Sequence, residues 1–251
     1  MHRRTFVGAL GGLGLAAAAT DKRTGFYLVE HFNLKSGTQL PRLHDFISQA
    51  LLPALNKVHS GPKIYLEALI APQLPHLTAI YGYSSLEEMW GVHTKLFADE
   101  TIGKAVETLE SGPDPAFESL DSLIVEAADY SPEIKSDSTT PHIFELRVYH
   151  SPTWKQLAAL HERFRGPEIK IFHRSGIHPI LYGSTVIGPN VPNLTYLIPF
   201  ADLAAREKAW AAFGADPDWQ KVRKESVEKS GEIVSNIQIS FYKSTPYSPV
   251  R

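Results

Sequence analysis

In the stretch HIFELRVYH, His142 to His150, Glu145, Arg147 and Tyr149 fall on alternate residues, and so on one face of an extended strand. An arginine there offers a planar, permanently charged fork for an anionic head group, and the tyrosine beside it offers a hydroxyl. Glu145 can pair with that arginine. A second pair of chemically able residues is His44 and His161. Each is set among apolar residues at helical spacing: Leu40, Leu43 and Ile47 in one case, Leu157, Leu160 and Phe164 in the other. A histidine so placed can act as a general base or a haem ligand if a cavity adjoins it, or as a hydrogen-bonded structural residue if none does.

Other chemistries are excluded or unsupported. The 251 residues contain no cysteine, which removes thiol catalysis, disulfides and cysteine-held metals or clusters. The eleven histidines show no zinc spacing, so no metal site is expected; no Gly-x-Ser-x-Gly elbow or phosphate-binding glycine loop lies between a strand and a helix. With 25 Lys and Arg against 27 Asp and Glu, the formal net charge is -2, which argues against a nucleic-acid partner. No cofactor is evident.

The elements that must position these residues come from a duplication. Shifted by 117 residues, the chain matches itself without a gap: Gln39-Leu40 on Gln156-Leu157, Leu43-His44 on Leu160-His161, Tyr65 on Tyr182, Leu77-Thr78 on Leu194-Thr195, Ala98-Asp99 on Ala215-Asp216, and Tyr130-Ser131-Pro132 on Tyr247-Ser248-Pro249. Within each copy the hydrophobic period alternates between about 2 and about 3.6 in the order strand, helix, strand, strand, helix, strand. That order is the ferredoxin-like β-α-β-β-α-β unit, an antiparallel sheet with both helices on one face. Two such sheets in one chain bury their uncovered faces against each other. The expected fold is therefore α+β, two ferredoxin-like repeats over 21–131 and 141–251 packed as an intrachain dimeric α/β barrel, with a polar linker from Ser131 to Thr140. In such a barrel Glu145, Arg147 and Tyr149 are expected to line the lumen, with Glu30 of the first repeat facing Arg147 across it. The arrangement then either holds a small ligand with a polar head and an apolar body, or is a buried ion pair that fixes how the halves pair.

Residues 1–20 read as an address rather than as fold. Arg3-Arg4, an apolar stretch from Phe6 to Ala19, and small residues before Thr20 resemble a twin-arginine export signal. This places the mature protein in the periplasm or outside the cell and limits membrane contact to the signal peptide.

The opening strand Phe144-Glu145-Leu146-Arg147-Val148-Tyr149 with Ser151-Pro152, and the later Ala205-Arg206-Glu207 and Ala215-Asp216-Pro217-Asp218-Trp219, resemble the NIPSNAP family. The first repeat resembles it more loosely, with Glu30, Phe32 and Ile102 where the second has Arg147, Tyr149 and Trp219. The resemblance implies the ferredoxin-like fold and the pairing of halves, and little about reaction. The wider superfamily includes cofactor-free monooxygenases and haem enzymes. Two functions are therefore carried forward. One is a binding or interaction module for a small apolar or aromatic ligand in the lumen, able to pair again as a homo-oligomer. The other is a monooxygenase-like enzyme, cofactor-free or haem-dependent, acting on an aromatic or lipid-like substrate with His161 as base or axial ligand.

Overall fold

The computed structural model describes residues 23–136 and 142–251; the signal expected over 1–20 and part of the Ser131 to Thr140 linker lie outside them. In the first repeat, β1 (Phe26–Asn33) leads into α1 (Gln39–Phe46), a π-helical turn (Ile47–Leu51) and α2 (Leu52–Val58). The hairpin of β2 (Lys63–Ile70) and β3 (His76–Tyr83) follows, then α3 (Leu86–Phe97), α4 (Glu100–Glu110) and β4 (Ser119–Ala127). The second repeat runs β5 (Ile143–His150), α5 (Trp154–Arg163), a π-helical turn (Phe164–Glu168), α6 (Ile169–Arg174), β6 (Leu181–Ile187), β7 (Asn193–Phe200), α7 (Leu203–Ala215), α8 (Pro217–Ser230) and β8 (Asn236–Ser244). The duplicated Asp99 and Asp216 are helix N-caps, accepting hydrogen bonds from the amides of Thr101 and of Asp218 and Trp219. Asp99 thereby breaks what the apolar period in the first repeat suggests is one long helix into α3 and α4.

The eight strands close into one barrel in the order β1-β3-β2-β8-β5-β7-β6-β4, antiparallel throughout. Each repeat supplies four neighbouring strands, and the seams are β2 with β8 and β6 with β4. The core divides into three apolar clusters. One is built from strands without any helix residue: Tyr27, Val29, Ile64, Leu66, Ile80, Val125, Phe144, Leu146, Leu181, Leu197 and Tyr242. It fills the barrel. The other two lie between each sheet and its own helices.

The repeated Tyr-Ser-Pro closes each repeat by latching onto the other. Ser131 accepts a hydrogen bond from the Tyr182 amide and Ser248 one from the Tyr65 amide, both at 3.0 Å. The Tyr130 hydroxyl meets His161 Nδ1 at 2.7 Å, and the Tyr247 hydroxyl meets His44 Nδ1 at 2.8 Å. The second ring nitrogen of His161 is held by Ser184 Oγ at 2.7 Å. Both nitrogens of the expected base or axial ligand are thus engaged, Nδ1 by the tyrosine of the other half and Nε2 by a serine of its own.

Candidate functional site

Glu145, Arg147 and Tyr149 do share one face of β5, but that face turns away from the lumen. Phe144 and Leu146 belong to the barrel interior, whereas Tyr149 packs with Phe164, Tyr182 and Tyr196 under the helices of the second repeat. The expectation of a lumen pocket headed by Arg147 is therefore corrected. The apolar face fills the closed barrel, and the mixed face goes where helices can bring it partners. Glu30 likewise faces the helices of its own repeat: its cross-strand neighbour Ala79 lies in the first repeat's helix–sheet cluster. The two residues expected to pair across the lumen sit in separate layers.

The partners come from α7. Glu145, fully buried, accepts hydrogen bonds from Arg147 Nη1 at 2.7 Å, from Arg206 Nε and Nη2 at 3.0 Å each, and from Trp210 Nε1 at 2.9 Å. The Arg147 guanidinium lies 4.1 Å from the Trp210 ring centroid and 5.4 Å from that of Tyr149, within cation–π range of both. Its Nε has no hydrogen-bond partner among the described residues. This network seals the inner end of the layer.

Its outer end is open. A cavity of about 630 Å3 is lined by Tyr149, Arg163, Glu168, Trp219, Arg223 and the run from Glu232 to Ile237 that enters β8. The π-helical turn Phe164–Glu168 delivers Glu168 here: Gly166 leaves helical geometry at φ -81, ψ -114, just before Pro167, which has no N–H to donate. Glu168 is 1% exposed and accepts a hydrogen bond from Arg163 Nε at 2.6 Å. Burial pushes its carboxyl up to about 7 against the opposing pull of Arg163. Arg163 is stacked 5.0 Å from the Trp219 ring centroid, and Trp219 itself packs on Phe213 at 4.3 Å. Burial also raises the Tyr149 hydroxyl above the usual phenol range. One wall is thus aromatic and aliphatic, and the other presents two arginines, a carboxyl that titrates near neutrality, and a phenol. Arg223 makes no ion pair among the described residues.

Of the ligand-binding and catalytic candidates named from the sequence, Tyr149 alone lines this cavity, beside Trp219, which the sequence offered only through its family resemblance. Arg147 and Glu145 stand behind it, and Glu30 and His161 are elsewhere. Glu168, Arg163 and Arg223 were missed. The available signal was Glu168 itself, a charged residue that continues the apolar stripe Leu157, Leu160, Phe164 running from α5 into the π-helical turn. Among the described residues no group of three or more acidic or histidine side chains converges on a metal position.

With this geometry in place, comparison with known proteins is informative. Residues 144–249 match the NIPSNAP family model. The second repeat is a NIPSNAP domain. The first repeat lies outside the match, and no curated protein matches the chain. Solved structures that resemble the NIPSNAP-containing chain over most of its length include a proposed monooxygenase from Lactobacillus acidophilus NCFM, 10% identical over 88% of this chain and 95% of that chain with TM-score 0.56. An anthrone oxidase-like protein is 13% identical over 90% of this chain and 92% of that chain with TM-score 0.54. At such identities the likeness is one of fold, a dimeric α/β barrel closed here within a single chain. A NIPSNAP-like domain protein from Burkholderia xenovorans is 22% identical over 43% of this chain and 89% of that chain, with TM-score 0.38.

Proposed function

We propose that the NIPSNAP repeat binds a small molecule with an apolar body and a polar, preferably anionic, head in the cleft between the entry to β8 and helix α8. The observation that carries this reading is the cavity of about 630 Å3 that joins Trp219 and Ile233 to Arg163, Arg223, Tyr149 and Glu168. The ligand body lies on Trp219, Val227 and Ile237. Its head meets the unpaired Arg223 near the mouth, and Tyr149 and Glu168 bound the deep end. Fluorescence titration with 1-naphthoate as probe tests this. Trp219→Ala and Arg223→Ala each weaken binding, by about tenfold or more for the tryptophan. The uncharged naphthamide binds more weakly than the acid and is insensitive to Arg223→Ala. Naphthoate binding that ignores both substitutions overturns the reading.

A specific observation favours a catalytic use of the same cleft. Glu168 titrates near neutrality where a bound molecule would sit, the condition for a general acid or base. The names of the fold neighbours point to oxidation of an aromatic substrate by dioxygen. In this second reading Glu168 takes the proton from an acidic aromatic substrate such as anthrone, and His161, held at both nitrogens, takes no part. Oxygen uptake with anthrone that disappears in Glu168→Gln and persists in His161→Ala supports it. No uptake above the buffer rate leaves the binding function alone standing.

A further inference from the structure

The apolar filling of the barrel stops short of the end at which β1 and β5 finish. There the inward-facing positions of the first repeat turn polar, and strand register sets them side by side. On β1, His31 and Asn33 follow Val29 on the inner face; on β3, His76 and Thr78 precede Ile80. His31 lies opposite Thr78 on one side and Asp121 of β4 on the other, and Asn33 lies opposite His76. The His76 ring stands 5.9 Å from that of Tyr242, which belongs to the barrel filling. Two histidines 45 residues apart in the chain thus meet, with His31 Nδ1 and His76 Nε2 separated by 3.2 Å. Thr78 Oγ1 lies 2.8 Å from the first nitrogen and 2.9 Å from the second.

The surrounding hydrogen bonds fix which nitrogen carries hydrogen. A carboxylate only accepts, so Asn33 donates from Nδ2 to Asp121 at 2.8 Å and to Ser119 at 3.0 Å, and turns its Oδ1 to His76. His76 Nδ1 donates to that oxygen at 2.9 Å, which leaves Nε2 of the neutral ring as a lone pair aimed at the His31 contact. Holding a histidine by its other ring N–H, with a carboxylate behind the acceptor, is how proteins orient a metal-binding imidazole. His31 Nε2 has no partner among the described residues, so that ring can carry its hydrogen there and present Nδ1 bare. Two nitrogens bound to one tetrahedral ion at about 2.0–2.1 Å each lie about 3.3 Å apart, close to the separation of these two. The fold does not need this arrangement. In the second repeat Val148 stands for His31, Asn193 for His76 and Gln238 for Asp121, and Thr195 donates to Asn193 at 3.1 Å.

We propose that the first repeat binds a divalent transition-metal ion, of the class that imidazole favours, between His31 Nδ1 and His76 Nε2 at the mouth of the barrel. Thr78 Oγ1 lies beside the ion and water takes the remaining positions. Asp121, exposed at the mouth, supplies negative charge and acts through Asn33 to orient His76. This is a two-histidine site, consistent with the absence, among the described residues, of any larger group of histidine and acidic side chains around a metal position. It stands apart from the cleft in the second repeat, and neither reading depends on the other.

The test is titration of the full chain with zinc chloride at about pH 7.5, where imidazoles are neutral, followed by calorimetry and by the histidine ring resonances in NMR. Saturable shifts at His31 and His76 are expected, with magnesium chloride giving none there. His31→Val and His76→Asn each install the residue that the second repeat already accommodates, and each is expected to weaken binding about tenfold or more. Asp121→Asn leaves both nitrogens in place and is expected to weaken it by a smaller factor. His173 and His178, with ring centroids 5.1 Å apart, are another close pair, and His173→Ala is expected to leave the shifts at His31 and His76 unchanged. Absence of saturable shifts at His31 and His76 in the folded wild-type chain, or shifts confined to His173 and His178, overturns the proposal. So does affinity that survives His31→Val combined with His76→Asn in a protein with native chemical-shift dispersion.

Discussion

The two helix–sheet layers occupy equivalent places in one barrel and are filled by opposite strategies. In the second repeat Glu145 gathers Arg147, Arg206 and Trp210, and Glu168 pairs with Arg163 at the cavity. In the first repeat the same positions hold Leu28, Glu30, Met89, His93, Leu51 and Phe46, and Phe117 packs edge-on against Phe32 at 5.6 Å. What the copies share is the frame: the helix caps Asp99 and Asp216, the latches on His44 and His161, and Tyr65 and Tyr182 on the second strand of each unit. What they do not share lies under the helices, where changing a side chain alters a site without altering strand pairing. The difference teaches which residues build the barrel and which were free to acquire chemistry.

The sharpest way to break the comparison is to remove the acid at the centre of the charged layer. Glu145→Ala leaves the buried Arg147, the half-buried Arg206 and an indole N–H without their shared acceptor, and is expected to cost about 3–5 kcal/mol in chemical denaturation. The equivalent Leu28→Ala in the first repeat only deletes a partly buried aliphatic group and is expected to cost about 1–2 kcal/mol. Replacing the whole network at once, Glu145→Leu with Arg147→Met, Arg206→Met and Trp210→Phe, is expected to cost much less than the single change, because no charge is left unpaired. If Glu145→Ala proves as mild as Leu28→Ala, the layers differ in composition without differing in how they are held.

These contrasts also show what a linear chain makes readable. Strand periodicity in β5 separated Glu145, Arg147 and Tyr149 from Phe144 and Leu146. Alternation groups residues by face, but it is silent on which face meets the lumen. That choice was made by Arg206 and Trp210, about sixty residues away, which give the mixed face its partners, and by barrel closure, which needs an apolar filling. The hairpins were legible because Lys63–Ile70 and His76–Tyr83 are bounded by turn residues and recur at a fixed shift. The repeated Tyr-Ser-Pro was visible as a repeat, but its action was not, since each copy fastens to the half that does not contain it. Glu168 escaped notice because a lone charge on an apolar helical stripe reads as tolerated until a π-helical turn and a cavity give it a place.

A smaller effect sharpens the shared frame. His161→Ala removes hydrogen bonds to Tyr130 and Ser184 and leaves a half-buried phenol unpaired, an expected loss of about 1–3 kcal/mol. His44→Ala is expected to lose less: its contact to Glu67 is 3.4 Å long and its side chain is 23% exposed, so water replaces part of what is lost. Denaturation of both variants checks the order, and equal losses would mean that exposure does not set the strength of the latch.

The smallest effect concerns Glu30, the half-buried acid of the first repeat, and its sign is opposite to that of Glu145. The Glu30 carboxyl is raised from its ordinary 4.5 to about 7 by burial, so the folded state holds its proton more tightly than the unfolded state. The stability this contributes is fully present below about 4.5 and is lost as pH rises through about 7. Histidines held neutral by burial, His31 at about 4 among them, act in the reverse direction over an overlapping range, so the wild-type profile alone hides the glutamate. The difference between Glu30→Gln and wild type isolates it, since the histidines are common to both. Glu30→Gln is expected to be nearly neutral at about pH 5 and to stabilise by about 1–2 kcal/mol at about pH 8, partial solvent access reducing the full burial cost. Urea denaturation at the two pH values reads the difference directly. A pH-independent difference would mean that Glu30 is already compensated, and the two layers would then be alike in leaving no buried charge unpaired.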